Sequence, residues 1–265
     1  MMAWLNNNTR QSKGLVMALV ISATMSSGAA LAKDWKDVRI AVDVPYEPFE
    51  YKKPDGTLTG FEIDLGNAVC EQANLKCEWV VQAWDGIIPG LLARKYDVIF
   101  SSMSINEERK AKVAFSEPYY NTPSAWFAAK SSSIDPTKPD TLAGKRIGVQ
   151  RGTIQDGAAT KQFGKTAQIV RYNTGDEVVM DLKGGRLDVV LLDFPVGEST
   201  LLKTADGDQY AQVGEKQQLG DGVGAAFRKN DNELREKFNQ ALQAVKDNGT
   251  YDKIMKQYFD YSVKK

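Results

Sequence analysis

Apolar and polar positions fall in blocks along this chain, and the blocks change period in a regular order. Residues 38–42, Val-Arg-Ile-Ala-Val, are a short apolar run that predicts a strand. A turn with two prolines follows, Pro45 and Pro48, and Asp55-Gly56 marks a hairpin-like turn. Ile63, Leu65, Ala68 and Val69 then supply the apolar face of a helix over 61–73. Residues 76–82 predict a strand, Ile87, Ile88, Leu91 and Leu92 recur at helical spacing over 85–94, and 97–100 predict a strand ending at Ser101-Ser102. This β-α-β-α-β order implies a mostly parallel sheet.

The order then repeats with different residues. Strands are expected at 145–149, 167–172 and 188–192, with one helix entered through Gly152-Thr153-Ile154-Gln155 and another over 176–182. A further strand near 224–228 precedes helices over 232–247 and 250–258, which Asn248-Gly249 separates. Two tandem α/β units suggest two lobes, with the segment 119–127 as one crossing between them.

The N-terminal block is different in kind. Arg10 and Lys13 precede an apolar run over 14–25 and small residues ending in Ala30-Leu31-Ala32. Positive charge, a short apolar core and an A-x-A site predict a secretory signal peptide over 1–32. The run is too short and interrupted to span a bilayer comfortably. The chain from residue 33 onward is long enough for one large core or two lobes of ordinary domain size.

Charge narrows the function classes. The chain has 34 basic and 34 acidic residues, and Arg10 and Lys13 are the basic ones of the first 32, so the remainder carries two more acids than bases. A dedicated nucleic-acid binder would show a basic excess. Cys70 and Cys77 both lie beyond the leader, where an oxidising compartment favours a local disulfide stapling a helix end to the next strand. Two free core thiols or two metal ligands are the alternatives at this point. Histidine is absent, which removes the commonest general base and zinc ligand.

In open α/β sheets ligands sit beyond the carboxyl ends of the strands. Those positions hold Asp43 and Tyr46, then Trp84, then Ser101, Ser102 and Ser104, then Gly152, Thr153 and Gln155, then Asp193. This set, with two aromatics and two isolated acids, suits a small zwitterionic molecule that is also cationic. Turns are polar in any protein, however, so spacing alone does not decide the matter. Arg109 follows a strand end in a short helical turn and either forks onto a carboxylate or pairs with Glu107 or Glu108. No catalytic constellation emerges. The glycines of 148–152 lack dinucleotide-fingerprint spacing, and nothing sets Asp43 and Asp193 up as an acid–base pair. No cofactor or metal is expected.

Several stretches in order carry a resemblance. Asp43-Val44-Pro45-Tyr46-Glu47-Pro48-Phe49 and Gly60-Phe61-Glu62-Ile63-Asp64-Leu65 resemble the start of the periplasmic polar-amino-acid-binding proteins of ABC importers. The stretch from Asp97 to Ile105 followed by Glu108-Arg109, the Phe115 to Tyr120 stretch, Gly148 to Thr153 and Asp247 to Tyr251 are similar to later family motifs. The likeness covers essentially everything after the leader. It is strongest to the lysine/arginine/ornithine- and histidine-binding proteins, which share the close Cys70–Cys77 pair.

The resemblance implies a two-lobed clamshell of type II. Each lobe would be a mostly parallel sheet flanked by helices, and two hinge strands would join them. Lobe 1 would take 33–120 and 225–265, and lobe 2 would take 121–224. Arg109 would bind a ligand α-carboxylate with the main chain of Ser104 and Thr153 and the Thr153 hydroxyl. Asp193 would receive the α-ammonium, with Ser102 and the Ser104 hydroxyl beside it. Tyr46 and Trp84 would sandwich the side chain, while Asp43, the Ser101 carbonyl and Gln155 would meet its distal charge. Ile154 stands where relatives often have a small hydroxyl residue, and Trp84 is bulkier than usual, which favours a planar cation. The function implied is a monomeric periplasmic receptor of a Gram-negative bacterium that delivers a cationic amino acid to an inner-membrane ABC permease. Arginine fits best, then histidine, ornithine and lysine. An arginine-derived opine, octopine or nopaline, is the alternative ligand class. A secreted lyase or dehydratase on the same scaffold is the alternative function class.

Overall fold

The computed structural model describes residues 35–265, so the signal segment expected over 1–32 lies outside the described residues. Among the described residues no helix is long and apolar enough to cross a membrane. Two five-stranded sheets organise the chain. The first runs in the order Lys76–Val81, Asp37–Val42, Val98–Ile99, Ala226–Phe227, Ala114–Phe115, and the second in the order Tyr210–Gln217, Ser124–Ala129, Val189–Asp193, Arg146–Gln150, Gln168–Tyr172.

Each sheet joins a parallel half to an antiparallel one. Asp37–Val42 lies parallel to both Lys76–Val81 and Val98–Ile99, whereas Ala226–Phe227 pairs antiparallel on either side. Arg146–Gln150 lies parallel to Gln168–Tyr172 and Val189–Asp193, whereas Ser124–Ala129 runs antiparallel to both of its neighbours. The strand Ser124–Ala129 corrects the sequence expectation. Its apolar residues read as part of a crossing over 119–127, yet most of them form an interior strand of the second sheet, buried on both faces. A fully buried strand has no alternation to announce it.

Alternate side chains of the central strands feed cores on opposite faces, as strand geometry demands. Val189 and Leu191 join Ala159 and Phe163 of the helix Ile154–Phe163, while Val190 and Leu192 join Val178 and Leu182 of the helix Gly175–Lys183. In the first sheet Ile40 and Val98 face one core with Phe61, Tyr119 and Phe238, and Ala41 and Ile99 face another with Ile87, Leu91 and Tyr96. Both sheets are therefore covered on both sides, which leaves the strand ends as the polar places.

The helix Phe61–Gln72 starts where Gly60 holds φ at 124°. A Cβ there would lie 2.2 Å from the Phe49 carbonyl oxygen, so only glycine lets the two-proline loop approach the helix this closely. The far end of the helix is tied down by a disulfide between Cys70 and Cys77, with Cα atoms 6.2 Å apart. The staple joins helix to next strand as expected. The helix expected over 85–94 is shorter than its pattern: Trp84–Gly86 is a 3₁₀ turn and the α-helix is Ile87–Leu92.

The chain leaves the first sheet after Ala114–Phe115 and returns between Tyr210–Gln217 and Ala226–Phe227. The two passages are tied together by a reciprocal amide pair. Asn121 and Gln218 each donate their side-chain N–H to the other's carbonyl oxygen at 2.7 Å.

Candidate functional site

The carboxyl ends of both parallel halves face one cleft. It has a cavity volume of about 320 Å³, its mouth included, and Asp43, Tyr46, Trp84, Ser101, Ser102, Ser104, Arg109, Thr153, Gln155 and Asp193 all line it. Glu50, Gln150 and Ile154 line it too. Of these three, Ile154 stands out in the sequence as a departure from the family pattern, whereas Glu50 and Gln150 carry no sequence-level signal of a place in the site.

Arg109 and Asp193 occupy one end. Arg109 belongs to the short helix Glu107–Lys110, which Asn106 caps by accepting the Arg109 main-chain N–H. Arg109 is 7% exposed, and its guanidinium donates to the carbonyl oxygens of Ser104 at 2.7 Å and Gly152 at 3.4 Å. The surface pairing with Glu107 or Glu108 does not form. Lys110 and Lys112 take those acids, and Arg109 has no carboxylate partner among the described residues. Burial lowers its pKa to about 10, and the charges of Glu108 and Asp193 oppose that shift. It therefore stays cationic at neutral pH. Its planar group lies 5.1 Å from the Trp84 ring centroid, within cation–π range.

Asp193 ends the strand Val189–Asp193 and is 7% exposed. It accepts the Tyr46 hydroxyl at 2.5 Å and the Thr122 hydroxyl at 3.1 Å. Burial raises its pKa, and these hydroxyls together with the Gln155 amide and the Arg109 charge pull it back. Thr153 caps the helix Ile154–Phe163, and its hydroxyl donates to the Gln150 carbonyl at 2.8 Å. Gln155 donates to the Ser124 hydroxyl at 3.0 Å. Gln155 therefore stands near Asp193 as well as in the cleft wall, not solely at the distal end that the resemblance implied for it.

The other end is acidic. Asp43 is 7% exposed, and its carboxylate accepts the Gln150 amide at 2.8 Å from the opposite lobe. Burial raises its pKa to about 6, partly countered by hydrogen bonds from Gln150 and the Trp84 main chain. The Asp43 main-chain N–H donates to Ser101, whose hydroxyl donates onward to Glu50 at 2.9 Å. Ser102 sits at φ 46°, in the left-handed region, so that its N–H reaches Glu62 at 2.8 Å and its hydroxyl reaches Glu50 at 3.2 Å.

Four of the hydrogen bonds between the lobes lie in the cleft. Tyr46 donates to Asp193, Gln150 to Asp43, and both Trp84 Nε1 and Arg109 donate to the Gly152 carbonyl. Gln150 is hidden in the sequence because its strand runs one residue further than its apolar run, to Arg146–Gln150. Glu50 is hidden because it lies in a loop whose course depends on packing. Among the described residues no group of histidine, cysteine or acidic side chains could hold a metal ion.

A cleft between two α/β lobes, lined by three acids and one arginine, defines a protein that encloses a small polar solute. The chain belongs to the bacterial extracellular solute-binding proteins, family 3, whose model matches residues 38–261. It is 43% identical over 256 residues to the L-arginine-binding protein of Pseudomonas aeruginosa, covering 95% of this chain and 98% of that protein. It is 41% identical over 254 residues to the lysine/arginine/ornithine-binding periplasmic protein of Escherichia coli K12, covering 94% and 96%. The solved structure of an ancestral arginine-binding protein bound to arginine superimposes with a TM-score of 0.79 at 35% identity, covering 84% of this chain and 98% of that one. The shared fold is the two-lobed clamshell.

Proposed function

We propose that this protein is a periplasmic receptor that encloses a cationic L-amino acid, arginine foremost, and presents it to an ABC permease. The observation that carries the choice of ligand is the charge of the cleft: Asp43, Glu50 and Asp193 line it against the single cation of Arg109. Arginine brings two positive groups and one carboxylate. Its carboxylate meets Arg109, the main chain of Ser104 and Thr153 and the Thr153 hydroxyl. Its ammonium meets Asp193, with Ser102 and Ser104 beside it. Its guanidinium, stacked between Tyr46 and Trp84, meets Asp43 and the Ser101 carbonyl, where charge-assisted hydrogen bonds satisfy its buried donors. The protein binds and releases its solute unchanged, without cofactor or metal. The lobe limits proposed are 33–120 with 225–265, and 121–224, supported by the Asn121–Gln218 pair tying the two passages.

Calorimetry against arginine, ornithine, lysine, histidine, citrulline, octopine and nopaline tests this reading. Arginine is expected to bind tightest. An opine that outcompetes arginine would move the reading to the opine class, and conversion of the bound amino acid would end the receptor reading.

A further inference from the structure

Glu50 is the cleft acid that recognition of an α-amino acid leaves without a role. It is 1% exposed, and its two oxygens accept the hydroxyls of Ser101 at 2.9 Å and Ser102 at 3.2 Å. Glu62, in the first turn of the helix Phe61–Gln72, is fully buried and meets the same Ser102. It accepts the Ser102 main-chain N–H at 2.8 Å and the Tyr119 hydroxyl at 2.6 Å. Two buried carboxylates thus hold one serine of the ligand wall between them.

The groups facing the pair are acids or neutral phenols. Asp43 lies towards Glu50 in the cleft, Tyr46 and Tyr120 approach Glu50, and Tyr119, Tyr120 and Tyr251 surround Glu62. No lysine or arginine among the described residues pairs with either carboxylate, and Arg109 is turned to the Ser104 and Gly152 carbonyls at the other end. Serine, tyrosine and main-chain donors orient two anions but do not neutralise them. Buried like charges sharing a site resist joint ionisation, so the two acids titrate as a unit.

We infer that the Glu50–Glu62 pair holds one proton before ligand enters and releases it to solvent when the ligand's distal cation arrives beside Asp43 and Glu50. The cation replaces the proton, and Glu50 is then a specificity-determining residue: it favours a positive side chain by making a neutral one keep the proton in place. This rests on the cationic-ligand reading of the cleft. Burial raises both acids, and Glu62 raises Glu50 further. A bound cation lowers them. Binding therefore releases a proton in the window between the two values, and arginine affinity rises with pH across it.

The test is calorimetry of the full-length protein with arginine at pH 7 in phosphate and in Tris, whose heats of ionisation differ. Roughly half to one proton released per arginine is expected, and none per citrulline. Glu50→Gln and Glu62→Gln should each abolish the release, whereas Asp43→Asn should retain it. Release that survives both glutamine variants, or a heat independent of buffer in the native protein, overturns the inference alone. Absence of arginine binding overturns the reading beneath it and the inference with it. Should either glutamine variant fail to fold, the native protein decides. Between pH 7 and 8, at least a unit above the Asp43 value of about 6, the arginine-to-citrulline affinity ratio should rise by up to roughly tenfold per pH unit. A flat ratio overturns the inference.

Discussion

The two ends of the cleft solve different problems. At one end Arg109 and Asp193 stand opposed, one cation and one acid, with main-chain carbonyls and hydroxyls filling their remaining bonds. At the other Asp43 and Glu50 are acids supported only by uncharged partners, Gln150, Ser101 and Ser102. The first end is electrically balanced and matches the ammonium and carboxylate that every amino acid carries. The second is unbalanced and waits for a charge that only some side chains bring. On the proposed reading, affinity for the class and choice within it are built at separate places, each from buried ionisable groups.

The largest expected effect tests that separation at its balanced end. Arg109→Ala should weaken arginine and citrulline alike by about 2–5 kcal/mol, since a buried ligand carboxylate loses its charged partner. Calorimetry with both ligands checks it, and a loss confined to arginine would break the comparison. At the acidic end Asp43→Asn should cost arginine about 1.5–3 kcal/mol, the usual value of a hydrogen bond to a charged group, and citrulline less. Equal losses would make Asp43 a loop-holding residue.

The same variant sharpens the contrast through stability. In the unfolded chain Asp43 ionises near 3.8, and in the fold it keeps its proton up to about 6. Between those values the folded state binds more protons, so stability falls as pH rises, and the full penalty applies above 6. Without ligand, Asp43→Asn should therefore melt higher than the native protein at pH 7, by up to about 3 kcal/mol, and gain little at pH 4. A gain that is the same at both pH values would assign the effect to packing. The smallest effect belongs to the wall shared by both ends. Trp84→Leu should cost arginine about 0.5–1 kcal/mol more than lysine, because the planar cation loses its aromatic face. A competition assay between the two ligands reads this difference.

Much of the site was legible because strand ends are a sequence-level feature. Apolar runs stop at Asp43, Ser101 and Asp193, and the polar residues just beyond them line one cavity. Arg109 was ambiguous by spacing, and the family resemblance supplied the role proposed for it; in the structure it is buried on a short helix capped by Asn106, while its lysine neighbours take the surface acids. Glu50 was not legible. It follows two prolines, and it reaches the serine wall because Phe49 stacks on Tyr120 at 5.2 Å and packs edge-on against Phe61. Tyr120 comes from a distant part of the chain, and no local pattern announces that contact.

Period and punctuation alone determined the two α/β units, the helix boundaries at Asn248-Gly249, and the residues that end the parallel strands, because these depend on neighbours a few positions away. Tertiary structure decided that Glu50 and Glu62 both meet Ser102, that Ser124–Ala129 is an interior strand, and that Asp43 meets Gln150 and Tyr46 meets Asp193. Those pairs lie 107 and 147 residues apart, and the charge each group bears is set by burial between two lobes, which only exists once the chain has folded.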